Sequence, residues 1–233
     1  MKTNHKTRRG FTLVELLVVI VIIAALAGLT APMVIRQRKK ADQTEAVNNA
    51  RQIGLALFEF ETEYGSFPDV ATAAQVATNT ATTAAAALDA NSRFRQMIRA
   101  GIAQAESMFY AKTVYTKKPD NAFETDQNAL VGGEVGFGII TRADGTGLSA
   151  VGNPSRPICA TPFTSALNGE FDFEIYDGKA VVLKLDNSVT SLSIIKTTRQ
   201  VLMNGNSLTT DGDATVWGAT NPVQFAYPIP KGS

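Results

Sequence analysis

The stretch RRGFTLVELLVVIVIIAALAGL, which runs from Arg8 to Leu29, carries the strongest structural signal in the chain. From Leu13 to Ile35 the sequence is almost wholly apolar. A helix over these residues would be ~34 Å long, which is enough to cross the hydrocarbon core of a bilayer. Glu15 lies near the start of this run, and a charged side chain deep in a membrane costs about 2.5–3.5 kcal/mol. We therefore expect the Glu15 carboxylate to have a partner.

Two general kinds of targeting segment share parts of this pattern. A secretory signal peptide has a basic region, an apolar region and a cleavage site of small residues, which Ala24–Gly28 could supply. The acid near the start of the apolar run, and the continuation of that run past Gly28, argue against it. An uncleaved signal anchor is the second alternative. Its orientation is ambiguous, because further basic residues lie between Arg36 and Lys40.

The composition suits one hydrophobic segment followed by one modest globular domain. The 233 residues carry a net charge of +1, which argues against a nucleic-acid-binding protein that works by bulk electrostatics. His5 is the single histidine and Cys159 the single cysteine. Their scarcity excludes Ser-His-Asp and Cys-His catalysis and zinc held by histidine or cysteine, and no phosphate-binding or dinucleotide motif is present. Although carboxylate-only and Ser-Lys enzymes stay open, we predict a non-enzyme, with Cys159 as a small buried apolar residue.

The segment Arg9–Glu15 closely resembles the class III signal of type IV pilins and of type II secretion pseudopilins. The resemblance implies that a prepilin peptidase cuts after Gly10 on the cytoplasmic side and methylates the new amino terminus, Phe11. Glu15 then falls at the fifth mature position and Pro32 at the twenty-second, as is common in this family. The resemblance also implies that Glu15 of one subunit meets the Phe11 amine of a neighbour.

Elementary electrostatics explains why such a pair would favour assembly. Cleavage creates an α-amine that is normally protonated at neutral pH. An ammonium and a carboxylate attract far more strongly in a low dielectric than in water. Pro32 removes the helical hydrogen bond to the carbonyl of Gly28, so this zone could unwind locally, as it often does in pilin-like filaments.

Beyond the membrane segment, the sequence predicts that the helix continues to Tyr64. One amphipathic stripe recurs at helical spacing, and its members are Val47, Ala50, Ile53, Leu57, Phe60 and Tyr64. Gly65 and Pro68 predict its end. The segment Ala56–Pro68 also resembles the end of this helix in major pseudopilins.

Two further helical signals follow this helix. The alanine- and threonine-rich residues 71–92 predict a mobile loop or a weak helix around Ala84–Asp89. Ser92 is expected to cap a short helix that runs through Ala100 and ends at Gly101. Three apolar residues of that helix are expected to face inward, namely Phe94, Met97 and Ile98.

The distal half predicts an antiparallel sheet. Residues Phe171–Ile175 alternate between apolar and acidic, and Asp177-Gly178 predicts a hairpin turn into a strand through Leu185. A strand from Val189 and another at Gly133–Ile140 could complete the sheet. The tail from Asn204 is expected to form loops pinned by Trp217. The amphipathic helix would cover the sheet, which gives an α+β fold with the ladle architecture of pilins.

The resemblance implies a domain organisation and a location. Residues 1–10 would be a cleaved cytoplasmic leader, 11–35 a transmembrane helix, 36–64 its amphipathic continuation, and 65–233 a β-rich globular domain in the periplasm or outside the cell. The chain would lie in the bacterial inner membrane before assembly and in a periplasmic or cell-surface filament afterwards. The basic residues Arg36–Lys40 could bind anionic head groups or form a solvated collar.

The resemblance further implies a structural subunit of a type IV pilus-like or type II secretion pseudopilus filament. Its partners would be copies of itself, minor pilins, the prepilin peptidase, an inner-membrane assembly platform and the bilayer. A surface pilus for adhesion or motility, and a binding domain merely anchored by a pilin-type signal, are the alternatives. No cofactor is expected. Calcium at Asp211 and Asp213 is a weak candidate, because calcium takes six to eight oxygens and two aspartates supply few of them.

The first testable prediction concerns processing. Cleavage after Gly10 should remove 10 of the 233 residues and leave 223, with a methyl group on the nitrogen of Phe11. Mass spectrometry of the mature amino terminus would measure both changes. A mature terminus near Ala27 or Gly28 would indicate ordinary signal peptidase and contradict the pilin-type signal.

Overall fold

The computed structural model describes residues 11–80, 88–122, 124–125, 128–218 and 222–232. The chain divides into two compact units, one ending at Arg38 and one running from Lys39 to Ser233. Helix α1, Leu13–Tyr64, contributes its first part to the first unit and its remainder to the second. An antiparallel sheet of five strands follows, so the predicted α+β class is confirmed.

In the first unit, α1 exposes apolar side chains on every side. All residues from Phe11 to Arg38 are exposed in the single chain. Among the described residues, α1 is the helix long and apolar enough to cross a membrane. The helix is continuous through Gly28 and Pro32, because the proline removes a single hydrogen bond from a helix of 52 residues. The local unwinding that the sequence suggested near Pro32 is thus not seen in the single chain.

In the second unit, α1 buries the predicted stripe. Five of its six members are buried and Val47 is partly buried, and the buried members are Ala50, Ile53, Leu57, Phe60 and Tyr64. The helix ends where Gly65 takes a φ of 85°, a left-handed conformation that glycine adopts at little cost. Its N–H donates to the carbonyl of Glu61 at 2.7 Å. The predicted amphipathic helix and its glycine stop are therefore confirmed.

Small residues let this part of α1 approach the sheet closely. Gly54 faces Leu183 and Asn187, and a Cβ at this position would collide with the Asn187 side chain. The Gln43 amide donates to the Ser191 hydroxyl at 2.9 Å. The amphipathic helix thus lies over the sheet and supplies the cover that a sheet with an apolar face requires.

The main sheet has five strands, β1 Gly138–Arg142, β2 Pro157–Thr161, β3 Lys179–Lys184, β4 Val189–Ser193 and β7 Val223–Ala226. They are antiparallel throughout and lie in the order β4-β3-β2-β1-β7. A second pair consists of β5 Leu202–Met203 and β6 Asn206–Ser207. Along the chain, three short helices follow α1 and precede β1, namely α2 Val70–Thr80, α3 Ala90–Arg99 and a 3-10 helix, Glu106–Phe109.

The prediction of a strand at Phe171–Ile175 is wrong. Phe171 makes one isolated bridge to Phe163, and the chain then turns. The Asp172 carboxylate accepts the Glu174 N–H at 2.8 Å, and the Gly178 N–H donates to the Phe173 carbonyl at 2.8 Å. These local bonds replace the ladder that the alternating pattern suggested, because aspartate readily bonds to nearby backbone.

The hairpin in this region lies one strand later than expected. Asp177 and Gly178 do form a turn, with positive φ at both residues. This turn leads into β3, but the residues directly before it are not a strand, so it does not join two paired strands. Strand β3 pairs with β4 across a turn in which Asn187 has a φ of 60°. The predicted strands that end near Leu185 and begin at Val189 are therefore confirmed as β3 and β4. The strand predicted at Gly133–Ile140 is confirmed only at its end, because β1 begins at Gly138 and runs to Arg142.

Two strands of the main sheet, β2 and β7, were not predicted from the sequence, and neither was the short pair β5 and β6. Every residue of β2 is buried, so its side chains give no alternation to detect, and burial raises the pKa of the Cys159 thiol in its middle. Cys159 is a buried apolar residue, as predicted. Strand β7 lies in the tail that was expected to form loops only. Trp217 does pin this tail, because its buried indole N–H donates to the Leu208 carbonyl at 2.8 Å.

The short helices differ from expectation at their starts. The alanine- and threonine-rich region forms α2, which begins at Val70. Residues 84–87 of the predicted weak helix lie outside the described residues, and Leu88 and Asp89 are not helical. Asp89, and not Ser92, caps α3, because its carboxylate accepts the Ser92 N–H at 2.8 Å. The inward-facing residues are confirmed, since Phe94, Met97 and Ile98 are all buried.

The second prediction tests the packing of α1 on the sheet. Leu57→Asp places a charge at a fully buried position, which should cost about 3 kcal/mol or more. The melting temperature of the full chain in detergent micelles, followed by circular dichroism, should fall by roughly 10 °C. Leu55→Asp is the matched control, because Leu55 is 62% exposed on the same helix. Equal melting temperatures for the two variants would contradict this packing.

Candidate assembly site at the start of the first helix

The predicted site residues occupy different places in the structure. Gly10 lies outside the described residues, so the cleavage prediction is untested by the geometry. Phe11 precedes α1 and is 84% exposed. Glu15 lies in the first turn of α1, and Pro32 lies in its interior, more than four turns away. The structure therefore leaves Pro32 remote from the two residues at the helix start.

The Glu15 carboxylate has a partner within its own chain. Its Oε2 accepts the Thr12 N–H at 2.8 Å and the Thr12 hydroxyl at 2.7 Å. In return, the Glu15 N–H donates to Thr12 Oγ1 at 3.2 Å. The first helical bond, from the Leu16 N–H to the Thr12 carbonyl, is 3.2 Å long. This reciprocal arrangement is a capping box, in which a threonine and a glutamate three residues later satisfy each other's backbone donors.

The capping box explains how an acid is tolerated at this position. The first N–H groups of a helix have no partner within the helix, and they carry partial positive charge. A carboxylate there is stabilised by hydrogen bonds and by the helix dipole. The sequence reasoning missed this partner, although the Thr-x-x-Glu pattern before an apolar run was visible at Thr12–Glu15.

One carboxylate oxygen of Glu15 remains accessible. Among the described residues, every hydrogen bond to this side chain ends on Oε2. The side chain is exposed in the single chain. The other oxygen, Oε1, can therefore accept a bond from a group outside the subunit while the capping box stays intact.

The basic residues after the apolar segment are also exposed or nearly so. The Lys39 ammonium lies 3.7 Å from a carboxylate oxygen of Glu174, whose side chain is 76% exposed. An ion pair this exposed contributes little to stability. Both earlier readings, head-group binding and a solvated collar, stay open for Arg36–Lys40.

The weak calcium candidate in the tail gains no further ligands from the structure. The segment from Asp211 to Trp217 is a turn, in which the Gly212 N–H donates to the Gly218 carbonyl at 3.0 Å. Among the described residues, no third carboxylate lies close enough to Asp211 and Asp213 to share a metal ion with them. Calcium binding there stays a prediction.

The third prediction tests the capping box. Thr12→Ala removes the hydroxyl that accepts the Glu15 N–H, a loss typically worth about 1 kcal/mol of helix stability. Hydrogen exchange at the Glu15 amide, measured by nuclear magnetic resonance in micelles, should accelerate about five-fold. Thr12→Ser should retain protection. Thr30→Ala is the matched control, because the Thr30 hydroxyl donates to the Leu26 and Ala27 carbonyls inside the helix and takes no part in capping. Unchanged exchange in Thr12→Ala would show that the box is not formed.

Comparison with known proteins supports the pilin-type reading of this region. The family model described as the prokaryotic N-terminal methylation motif matches residues 5–31. The type II secretion system core protein G of Pectobacterium carotovorum subsp. carotovorum is 38% identical over 61 residues, which cover 26% of this chain and 39% of that protein. The protein of the same name from Escherichia coli (strain K12) is 38% identical over 68 residues, which cover 29% and 46%.

The similarity is confined to part of each protein. Core protein G of Aeromonas hydrophila gives the same picture, with 35% identity over 65 residues that cover 28% of this chain and 46% of the relative. The chain thus spans less than half the length of these curated relatives. No solved structure matches it. The motif and these relatives together confirm the recognised resemblance: the chain is type IV pilin-like and related to the pseudopilins.

Proposed function

We propose that the chain is a structural subunit of a pilin-type filament, and specifically of a type II secretion pseudopilus. The observation that carries this proposal is the start of α1, a helix whose first part exposes apolar side chains on all sides. Glu15 lies in its first turn, and one oxygen of its carboxylate accepts no hydrogen bond from the described residues. A helix of this kind needs either lipid or other helices around it. A filament subunit needs lipid around this helix before assembly and other helices around it afterwards.

Before assembly, residues 11–35 span the inner membrane. The leader, residues 1–10, stays in the cytoplasm, and residues 65–233 fold in the periplasm. The capping box with Thr12 supports this stage, because it compensates the Glu15 carboxylate while the subunit is alone in the bilayer. The basic residues Arg36–Lys40 mark the outer limit of the span.

Processing then creates the second half of the assembly contact. A prepilin peptidase cleaves after Gly10, and the resulting amine of Phe11 is protonated at neutral pH. Phe11 is exposed and precedes the first helical turn, so the new amine is accessible to a neighbour. The amine of one subunit bonds the free Oε1 of Glu15 in the next, inside a bundle of helices where water is excluded and the attraction is strong.

Packing between the helices supplies the remaining contact. Small residues at Ala24, Ala27 and Gly28 allow helix backbones to approach in lipid, where close packing and hydrogen bonds drive association. In the single chain a Cβ at Gly28 would meet no atom within 4 Å, so nothing within the subunit requires a glycine there. Self-association, alone or with minor pilins and an assembly platform, is therefore the proposed role of this segment.

The secretion branch is favoured over a surface pilus by the extent of the similarity. The matched relatives are named as type II secretion core proteins, and the matches span 61 to 68 residues, about twice the length of the methylation motif alone. A surface pilus for adhesion or motility is the second candidate, since it shares the same helix start. Electron microscopy with antibodies against this chain separates the two, because only a surface pilus is labelled on long extracellular filaments at native expression. The relatives are named as core proteins of a secretion system, which also favours a non-enzyme.

The fourth prediction tests the role of Glu15. Glu15→Leu removes the carboxylate, so membrane insertion should be as good as in the parent chain or better. Cleavage at Gly10 should persist. Filaments should be absent, because the Phe11 amine of a neighbour has no counter-charge in a low dielectric. Cell fractionation, mass spectrometry of the amino terminus and electron microscopy measure the three steps separately.

Two further variants sharpen this test. Glu15→Gln keeps an acceptor oxygen without a charge, so filaments should be few but not wholly absent. Thr12→Ala leaves the carboxylate available and should assemble better than either Glu15 variant. Normal filaments from Glu15→Leu would contradict the proposed contact, whereas a processed, membrane-bound and unassembled protein is the expected result.

A further inference from the structure

Three acidic residues that are far apart in sequence meet in the second unit. Glu106 begins the 3-10 helix, Asp120 lies in the following loop, and Glu134 lies shortly before β1. One carboxylate oxygen from each lies within 4.8 Å of the other two. Glu106 and Glu134 are completely buried, whereas Asp120 is exposed. The cluster therefore has two buried acids on one side and one acid that faces solvent.

Hydrogen bonds satisfy only one oxygen of each buried acid. Glu106 Oε1 accepts the Leu130 N–H at 2.6 Å, and Glu134 Oε2 accepts the Val131 N–H at 2.8 Å. These bonds hold the two carboxylates in place. Glu106 Oε2 is buried, and no hydrogen-bond partner for it is found among the described residues. A buried, unpartnered carboxylate oxygen is costly, so a ligand is to be expected at this point.

The charge of the cluster is only partly balanced. The Lys117 ammonium lies 3.2 Å from Glu134 Oε1, although it does not point at that oxygen as a hydrogen-bond donor would. Its side chain is 45% exposed, so it approaches from solvent. Two carboxylates and the free oxygen of Glu106 therefore remain without a full counter-charge.

We propose that Glu106, Asp120 and Glu134 bind a divalent cation, and that this cation is calcium. Carboxylate oxygens are hard ligands, which calcium and magnesium prefer. Magnesium demands a near-ideal octahedron and retains several waters, whereas calcium accepts irregular cages of carboxylate oxygens. Two buried carboxylates grouped with an exposed one therefore favour calcium. Water would complete its coordination on the solvent side, at Asp120.

The cation would join three parts of one irregular connection. Residues 100–137 link α3 to β1 and contain the 3-10 helix as their regular element among the described residues. Glu106, Asp120 and Glu134 lie near the start, middle and end of this connection. Asn121 Oδ1 accepts the Glu106 N–H at 3.2 Å and thereby ties the Asp120 loop to the 3-10 helix. This site is separate from the aspartates at Asp211 and Asp213.

The fifth prediction is calcium binding by the full-length chain. The protein, purified in detergent micelles and freed of metal by a chelator, should bind one calcium ion in calorimetric titration, with a dissociation constant of about 1 mM or tighter. Magnesium should bind at least 10-fold more weakly. Asp120→Asn should weaken calcium binding at least 10-fold, and Glu106→Gln should abolish it. Asp120 is exposed, so its variant keeps the test valid if Glu106→Gln fails to fold.

Two controls test the location of the calcium site and the role of Lys117. The double variant Asp211→Asn, Asp213→Asn should bind calcium as the parent chain does. Lys117→Met removes the competing ammonium and should tighten calcium binding several-fold. The proposal is overturned if the parent chain binds no calcium, if binding is lost in the Asp211/Asp213 variant but kept in Asp120→Asn, or if Lys117→Met leaves calcium affinity unchanged while lowering stability.

Discussion

The contact between the second part of α1 and the sheet organises the second unit. Gly54 brings the helix backbone close to Leu183 of β3 and to Asn187 in the turn after it. The large side chains of Leu57 and Phe60, on the following turns of the helix, are completely buried. Burying side chains of this size contributes about 1.5–3 kcal/mol each. The helix therefore covers the apolar face of the sheet, and the remaining elements pack around this layer.

Much of the second unit outside the sheet is irregular. There, side chains make the hydrogen bonds to backbone carbonyls that neighbouring strands make within a sheet. The buried Arg93 guanidinium donates to the carbonyls of Pro68 and Gly145, at 2.7 and 3.0 Å. Burial lowers the pKa of Arg93, and the nearby Asp69 charge opposes that shift. Asn91 donates to the Leu130 carbonyl at 2.8 Å. Buried backbone carbonyls need donors, and long polar side chains from α3 supply them where no strand does.

The two parts of α1 belong to one continuous helix but differ in which side chains they expose. The first part exposes apolar side chains and satisfies its single acid by a capping box, whereas the second part has one buried stripe and a polar outer face. The box joins Glu15 to Thr12 through one oxygen and leaves the other available. In the proposed filament, one oxygen would serve the subunit alone in lipid and the other its neighbour, because an acid without a partner in lipid is costly.

The sequence alone determined the parts that depend on local periodicity. The apolar run, the stripe on Val47–Tyr64, the stop at Gly65 and the burial of Cys159 all follow from spacing and composition, and the N-terminal motif identified the family resemblance. The capping box at Thr12–Glu15 was equally local and could have been read from the sequence.

Only the tertiary structure decided the pairing in the sheet and the acidic cluster. Strand β2 is buried on both faces, so its composition carries no alternation, and local bonds at Asp172 overrode the alternation at Phe171–Ile175. Glu106 and Glu134 are 28 residues apart, and nothing in their local sequence indicates that they meet. Contacts between distant segments depend on how the chain closes its loops, and that information is spread over the whole core rather than held in a short pattern.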